Sequence, residues 1–409
     1  MKSELKTYQL EEIALNICDG VHNTVIDDEN GDCLLLSAKN IQNGRIIFDD
    51  TDRKINRELC DKLKKRTHLS KNDIAITTVG ANVGDLAIIG DGSENYEFQR
   101  SVGLIKTNTA IADSIYLFYL LGTKSFNYFF HVIATGSAQP CLFLGTLNKI
   151  KVTLPALSKQ KRIASILSAY DNLIENNNKR IKILEQMAEN LYKEWFVRFR
   201  FPGHETTPFE NGIPKGWKLK HVSEIGDIIG GGTPSTDNEE YWNGNIPWLS
   251  PADLTDYQGV YIDKGANNIT ELGLAKSSAK MMPKDTVLLS SRAPIGYVAL
   301  AKNDICTNQG FKSIVCNQSI MKPSYLYLYF KLNKSYLQSF ASGATFPELS
   351  GSMVKKLKVL VPDISLLEKF DTFAKKLFEK TDVLLTQNQN LIKQRDLLLP
   401  RLMSGKLAV

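Results

Sequence analysis

Residues 73–84 read Asp-Ile-Ala-Ile-Thr-Thr-Val-Gly-Ala-Asn-Val-Gly, and residues 285–296 read Asp-Thr-Val-Leu-Leu-Ser-Ser-Arg-Ala-Pro-Ile-Gly. Each has a polar start, a strand-length run of apolar or β-branched residues, then breakers at Gly80 and Gly84 or Pro294 and Gly296. The two stretches lie 212 residues apart. Tyr116-Leu-Phe matches Tyr325-Leu-Tyr at an offset of 209, and Gly136, Pro140 and Pro155 match Gly343, Pro347 and Pro362 at 207. The drift requires only small net deletions, which loops tolerate. The period is far longer than that of solenoid repeats, so the chain is read as a duplicated domain. Ile115–Phe130 and Tyr325–Phe340 are aromatic-rich and helical in spacing, and their rings are expected in the core.

The chain has 409 residues, of which 43% are hydrophobic and 23% charged, a balance that excludes a disordered or collagen-like protein. The longest wholly apolar run in its first half, Ile115–Leu121, is far below the ~18–20 residues of a membrane span. No apolar stretch follows the charged start, so a cytoplasmic location is expected. The six cysteines form no CxxC and have no histidines at ligand spacing, so neither a zinc site nor a disulfide framework is expected. The net charge of +6 is unevenly spread: residues 1–155 carry −2 and residues 156–202 carry +4. A nucleic-acid surface would therefore be a local patch.

Each half ends in a long helical pattern. After Pro155, Ser158 is placed to cap a helix reaching about Val197, before Pro202-Gly203. Tyr170, Ile174, Asn177, Ile181, Leu184, Ala188, Leu191 and Trp195 follow the alternating four-three spacing of a coiled-coil seam. The matching seam is Leu377, Thr381, Leu384, Asn388, Leu391, Arg395, Leu398 and Leu402; Ser365 and Glu368 suit a capping box, and Pro400 is expected to end or kink the helix. Two such helices can pair with each other, parallel or antiparallel. Asn177 and Asn388 at seam positions either fix register or mark solvated turns.

Catalytic signatures are absent. There is no GxxxxGK[ST], HExxH, GxSxG or HxE…PCxxC. Gly230-Gly-Gly232 is followed by Thr233-Pro234, which suits a turn and not a dinucleotide-binding helix start. Asn245-Ile-Pro-Trp248 resembles the Asn-Pro-Pro-aromatic motif of amino-methyltransferases, but its second residue is Ile and no adenosylmethionine loop accompanies it. A binding module presented twice remains. Lys62, Lys65 and Arg66 form a basic run able to contact phosphates. Arg292, Asn308, Gln309 and Lys312 lie near turns and carry the groups that pair with guanine and adenine edges.

Four stretches carry a family resemblance: GGGTPSTDNEEYWNGNIPWLS at 230–250, LSSRAPIGYVALAKNDICTNQGFKS at 289–313, QKRIASILSAYDNLIENNNKRIKILEQMAENLYKEWFVRFRFPGH within 159–204, and the tail RDLLLPRLMSGKL. Together they resemble the specificity subunit of type I restriction–modification systems over nearly the whole chain. The first repeat departs most: it lacks the GGTPS…YW…IPWLS opening and keeps only Leu34-Leu-Leu-Ser-Ala-Lys-Asn-Ile41 as a counterpart. The resemblance implies an α+β fold: two mixed α/β target-recognition domains, 1–155 and 203–362, joined by two long antiparallel coiled-coil helices, 156–202 and 363–409, in a pseudo-two-fold duplication.

It also implies a non-catalytic subunit. Each recognition domain would read one half of a split double-stranded DNA target, and the helix pair would set the gap. Two methyltransferase subunits and two motor-endonuclease subunits are the implied partners; S-adenosylmethionine, ATP and Mg2+ would act in them, and this chain would bind no cofactor. Gly231, Pro234, Trp248 and Gly296 are expected to hold the fold, whereas Thr233, Ser235 and Arg292 suit phosphates. Base readers are expected near Asn82, Gln139 and Phe346, and Arg100 and Tyr241 complete the candidate DNA-contact set. Lys161, Arg162, Lys179 and Arg180 suit DNA or the methyltransferase. The rivals are a coiled-coil protein-binding adaptor and a DNA methyltransferase with a fused recognition domain.

Overall fold

The computed structural model describes residues 5–136, 139–255, 257–292, 294–341, 347–407 and 409. Gly343 and Phe346 lie outside them. The chain forms two compact units, 1–174 with 390–409, and 175–389.

In the first unit, a four-stranded antiparallel sheet has the order Ala14–Asp19, Val102–Thr107, Ile74–Thr77, Leu86–Ile88. Ile74–Thr77 is buried on both faces, which explains its unbroken apolar and β-branched run. A three-stranded sheet orders Arg53–Ile55, Cys33–Leu36 and Tyr96–Phe98, and Lys6–Gln9 pairs with Lys151–Leu154. Helices Ser114–Leu121 and Lys124–Ile133 cover the main sheet, with Tyr116, Leu117 and Phe130 almost fully buried.

The second unit repeats this plan. Its main sheet orders Gly226–Gly230, Lys312–Cys316, Val287–Leu289 and Val298–Ala301, with Tyr261–Ile262 added at the edge. Asn267–Ile269, Trp242–Leu249 and Cys306–Thr307 form its three-stranded sheet, and Lys218–His221 pairs with Lys358–Val361. Leu36-Ser-Ala-Lys-Asn40 and Leu249-Ser-Pro-Ala-Asp253 make the same turn: Ser37 N–H donates to Asn40 Oδ1 (2.9 Å) and Ser250 N–H to Asp253 Oδ2 (2.7 Å). Gly84 (φ +92°) and Gly296 (φ +85°) occupy one repeat position, each under a helix residue, Phe130 or Lys334. A side chain there would be strained in backbone and crowded in space.

The central helix spans Leu157–Tyr192 and continues through a wider π-type turn, Lys193–Val197. The C-terminal helix spans Ile364–Met403. They run antiparallel: Arg395 meets Asp171 in the first unit, while in the second Asn388 meets Asn177 and Phe370 meets Trp195. As one number rises, its partner's falls. The predicted seam is the buried one, with Ile174, Asn177, Ile181, Ala188, Thr381, Leu384, Asn388 and Leu402 at most 9% exposed.

Four expectations are corrected. Ser158 lies inside the first turn, because Lys159 and Gln160 N–H groups already donate to the Ala156 carbonyl. Ser365 and Glu368 form no capping box: Leu366 and Leu367 N–H groups donate to the Asp363 carbonyl, and Glu368 pairs with Lys322 at 3.3 Å. Pro400 does not end its helix, since Leu398, Leu402 and Met403 bind that last turn into the first unit's core. Cys33 and Cys60, both fully buried, are joined as a disulfide (Cα–Cα 6.3 Å). The remaining cysteines are free, and burial pushes the Cys306 and Cys316 thiols up to about 11 and about 12.

Candidate nucleic-acid interface

In the second unit the site begins where the strand Gly226–Gly230 ends. A Cβ on Gly231 would overlap the Thr307 and Asn308 carbonyls, so only glycine lets these strands close. Gly232 N–H then donates to the Thr307 carbonyl (2.8 Å), and Trp248 Nε1 donates to the Gly232 carbonyl (2.9 Å). This anchoring sets Thr233, whose hydroxyl donates to Gln309 Oε1 (2.5 Å). Lys312 Nζ donates to the Gln309 carbonyl (3.1 Å) and reaches Glu348 Oε1 (3.4 Å); Arg292 reaches Glu348 Oε2 (2.9 Å). Thr233, Gln309, Lys312, Glu348 and Arg292 thus form one linked cluster at the strand ends. The Arg292 hydrogen bond holds the Glu348 carboxyl below its ordinary range, with Lys312 adding to the effect. Two cations share one carboxylate, leaving positive charge available to a phosphate or to a guanine edge.

Three further candidates also make contacts within the fold. Asn308 Oδ1 accepts from Gly310 N–H (2.8 Å), so its oxygen serves the turn. Ser235 Oγ accepts from Asp237 N–H, and its carbonyl accepts from Trp242 Nε1. The Tyr241 carbonyl accepts from Thr270 N–H and presses on Gly273. Phe346 lies outside the described residues.

The first unit has an equivalent place, identified by strand register. Gln99 N–H donates to the Leu36 carbonyl (2.8 Å) as Asn308 N–H does to the Leu249 carbonyl (2.8 Å), and Val102 faces Thr77 as Phe311 faces Ser290. Gln99 therefore corresponds to Asn308, Arg100 to Gln309 and Val102 to Phe311. Gly20 does the work of Gly231, since its Cβ would overlap the Phe98 carbonyl. A cleft of about 540 Å³ opens here, lined by Asp19, His22, Thr78, Arg100 and Gln139 among others. Arg66 reaches down from the helix Arg57–Thr67 to Asp19 (2.5 Å), and His22 Nε2 lies 2.6 Å from the other Asp19 oxygen. The fold thus gathers Arg66, Arg100 and Gln139 from three separate stretches. Lys62 and Lys65 are exposed on that helix and have no ion-pair partner among the described residues. Asn82 is exposed in the turn after Ile74–Thr77. Sequence reasoning missed Asp19, His22 and Glu348, because nothing in their local spacing shows that strand register brings them beside the cationic groups.

Among the described residues no cluster of three metal-ligating side chains occurs, and no helix is long and apolar enough to cross a membrane. The family model for the type I restriction modification DNA specificity domain matches residues 2–186 and again 214–394. The chain belongs to this family. The two matches coincide with the two repeats, each running into its long helix. The chain is 43% identical over 180 residues to the type I restriction enzyme MjaIX specificity subunit of Methanocaldococcus jannaschii, a match covering 44% of this chain and 41% of that one. It is 25% identical to the HindI specificity subunit of Haemophilus influenzae over 83% of this chain and 87% of that one. The crystal structure of a type I restriction–modification S subunit from M. genitalium shares the fold, with a TM-score of 0.65 at 16% identity, covering 98% of this chain and 96% of that one.

Proposed function

We propose that this specificity-family chain reads a bipartite double-stranded DNA target, one half-site per recognition domain (1–155 and 203–362), and that its helix pair sets the gap between them. In this reading it supplies no chemistry. Methyltransferase subunits bring S-adenosylmethionine to adenine N6, and motor-endonuclease subunits bring ATP and Mg2+ for restriction.

The observation carrying the reading is that both repeats present cationic and amide side chains at one topological place, the strand ends beside Gly20 and Gly231. Arg66, Arg100, Gln99 and Gln139 occupy it in one repeat, and Thr233, Gln309, Lys312 and Arg292 in the other. Two weak readers held on one scaffold gain affinity through effective concentration, and their separation becomes part of the specificity. Lys62 and Lys65 suit flanking phosphates. The test is methylation mapping, with the chain and its neighbouring methyltransferase expressed in a methylation-free host. A split motif of fixed gap that disappears without this chain is expected. A contiguous motif, or methylation unchanged by omission, would leave the chain an adaptor.

A further inference from the structure

Gln160 and Asp171 lie 11 residues apart on the central helix, and Asp371 and Asp382 lie 11 apart on the C-terminal helix. Eleven residues make about three turns, so each pair shares a face, its members about 17 Å apart. Both 160 to 371 and 171 to 382 are steps of 211, so the pairs are repeat counterparts.

Each pair fastens the mixed domain of its own unit to its helix. The inner members grip the start of the equivalent domain helix. Gln160 Oε1 accepts from Asp113 N–H (2.9 Å), at the start of Ser114–Leu121, while its Nε2 donates to the Pro155 carbonyl (2.9 Å). Asp371 Oδ1 accepts from the Ser324 hydroxyl (2.6 Å), in the first turn of Pro323–Leu332. The outer members grip the domain farther along. Asp171 accepts from the Tyr119 hydroxyl and from Arg395, and Arg45 donates to its backbone carbonyl (3.0 Å). Asp382 pairs with Lys302 (2.8 Å), just beyond the strand Val298–Ala301.

We propose that Asp171 and Asp382 are positioning residues that fix the tilt of each recognition domain on its helix, and thereby the gap the complex accepts. The inference rests on the half-site reading above. The apolar core holds each domain along its helix from the inner contact as far as Leu167 in one unit and Phe378 in the other, and such packing, being non-directional, does not by itself fix the tilt. A rock of about 10° over a ~17 Å arm moves the far end about 3 Å, close to one base-pair step of ~3.4 Å. The outer contact removes that freedom. Lys302 and Asp382 are 43% and 24% exposed, so their ion pair adds little to stability, yet it is directional where apolar packing is not.

The test maps N6-methyladenine in the assembled methyltransferase complex with Tyr119→Phe, Lys302→Gln and Lys302→Arg chains. The first two alter the domain side of each contact and leave both helices intact. Sites with a gap one base pair longer or shorter should rise at least five-fold in both, with half-site sequences unchanged, and Lys302→Arg should behave as the wild type. An unchanged gap distribution, or a proportional fall at every site, would overturn the proposal, since plain destabilisation cannot redistribute gaps. Failure of the half-site reading would appear separately, in the wild-type chain, as a contiguous motif or as methylation persisting without it, and would overturn the inference too.

Discussion

Asn177 and Asn388 allow a prediction in which one substitution is worse than two. Both are 7% exposed; Asn177 Nδ2 donates to Asn388 Oδ1 (3.0 Å), and Asn388 Nδ2 donates to Asn178 Oδ1 (2.7 Å). Asn388→Leu leaves the buried Asn177 amide without a partner, at a cost of about 1–3 kcal/mol. Asn178 is exposed, so its oxygen returns to water at little cost. The new leucine faces a polar amide and recovers only part of the ~1.5–3 kcal/mol that full burial yields. A net loss of about 1–2 kcal/mol is expected from these opposing amounts. Asn177→Leu with Asn388→Leu removes the stranded amide and buries two apolar side chains together, so the double variant should equal or exceed the wild type.

The assay is urea unfolding followed by tryptophan fluorescence. All four tryptophans, at 195, 217, 242 and 248, lie in the second unit, as do the three asparagines, so the signal reports the relevant part. At a urea slope of about 2 kcal/mol/M, the single variant should lose about 0.5–1 M in midpoint and the double should regain it. Additive losses would refute the reasoning, because they would mean the two amides act independently and neither is stranded by loss of the other.

Two further predictions concern the frame of the candidate interface. Gly231→Ala places a Cβ against backbone carbonyls that have nowhere to go, so a loss of at least about 1–3 kcal/mol is expected. Gly230→Ala meets nothing within 4 Å and should stay within about 0.5 kcal/mol, and fluorescence-detected melting separates the two. Glu348 has a depressed carboxyl value in the folded chain, chiefly through Arg292. Its contribution is therefore full above the ordinary glutamate value of about 4 and is lost as pH falls through the lower folded value. The stability difference between wild type and Glu348→Gln should shrink over that acid range, and a difference that widens there would contradict the assigned sign.

Much of the fold was legible because burial imposed periodicity. Ile74–Thr77 and Val287–Leu289 are buried on both faces and read as short unbroken apolar runs. The seam residues recur because one stripe of each long helix is covered. Both helix starts were misplaced by two residues, because the first helical hydrogen bonds are accepted by the Ala156 and Asp363 carbonyls, ahead of the serines expected to cap them. Pro400 broke no helix, since packing by Leu398 and Leu402 outweighs one missing hydrogen bond. At the site, Arg292 and Lys312 were legible by residue type, but Glu348, which links them, was not. Asn308 has a base-reading side chain, yet its oxygen is held by Gly310 N–H. Such assignments depend on which carbonyl or amide lies within reach, and that is fixed by register between segments distant in sequence.

Comparing the repeats with each other separates frame from reading surface. Gly20 and Gly231, Gly84 and Gly296, Asn177 and Asn388, and Asp171 and Asp382 hold matching places and make matching or parallel contacts. At the adjoining strand ends the match stops. Arg100 stands where Gln309 does, Gly103 where Lys312 does, and Arg66, His22 and Asp19 form a linked group without a counterpart of the same chemistry around Gly231. If the repeats read the same bases, side chains facing those bases would have no reason to diverge while the glycines and half-buried aspartates of the frame stay alike. Divergence in chemistry at the exposed ends of a common frame is what two different readers require. On the proposed function, the two half-sites should therefore differ in sequence: the first would be read by an arginine-rich cleft, and the second by a glutamine and threonine pair flanked by Lys312 and Arg292.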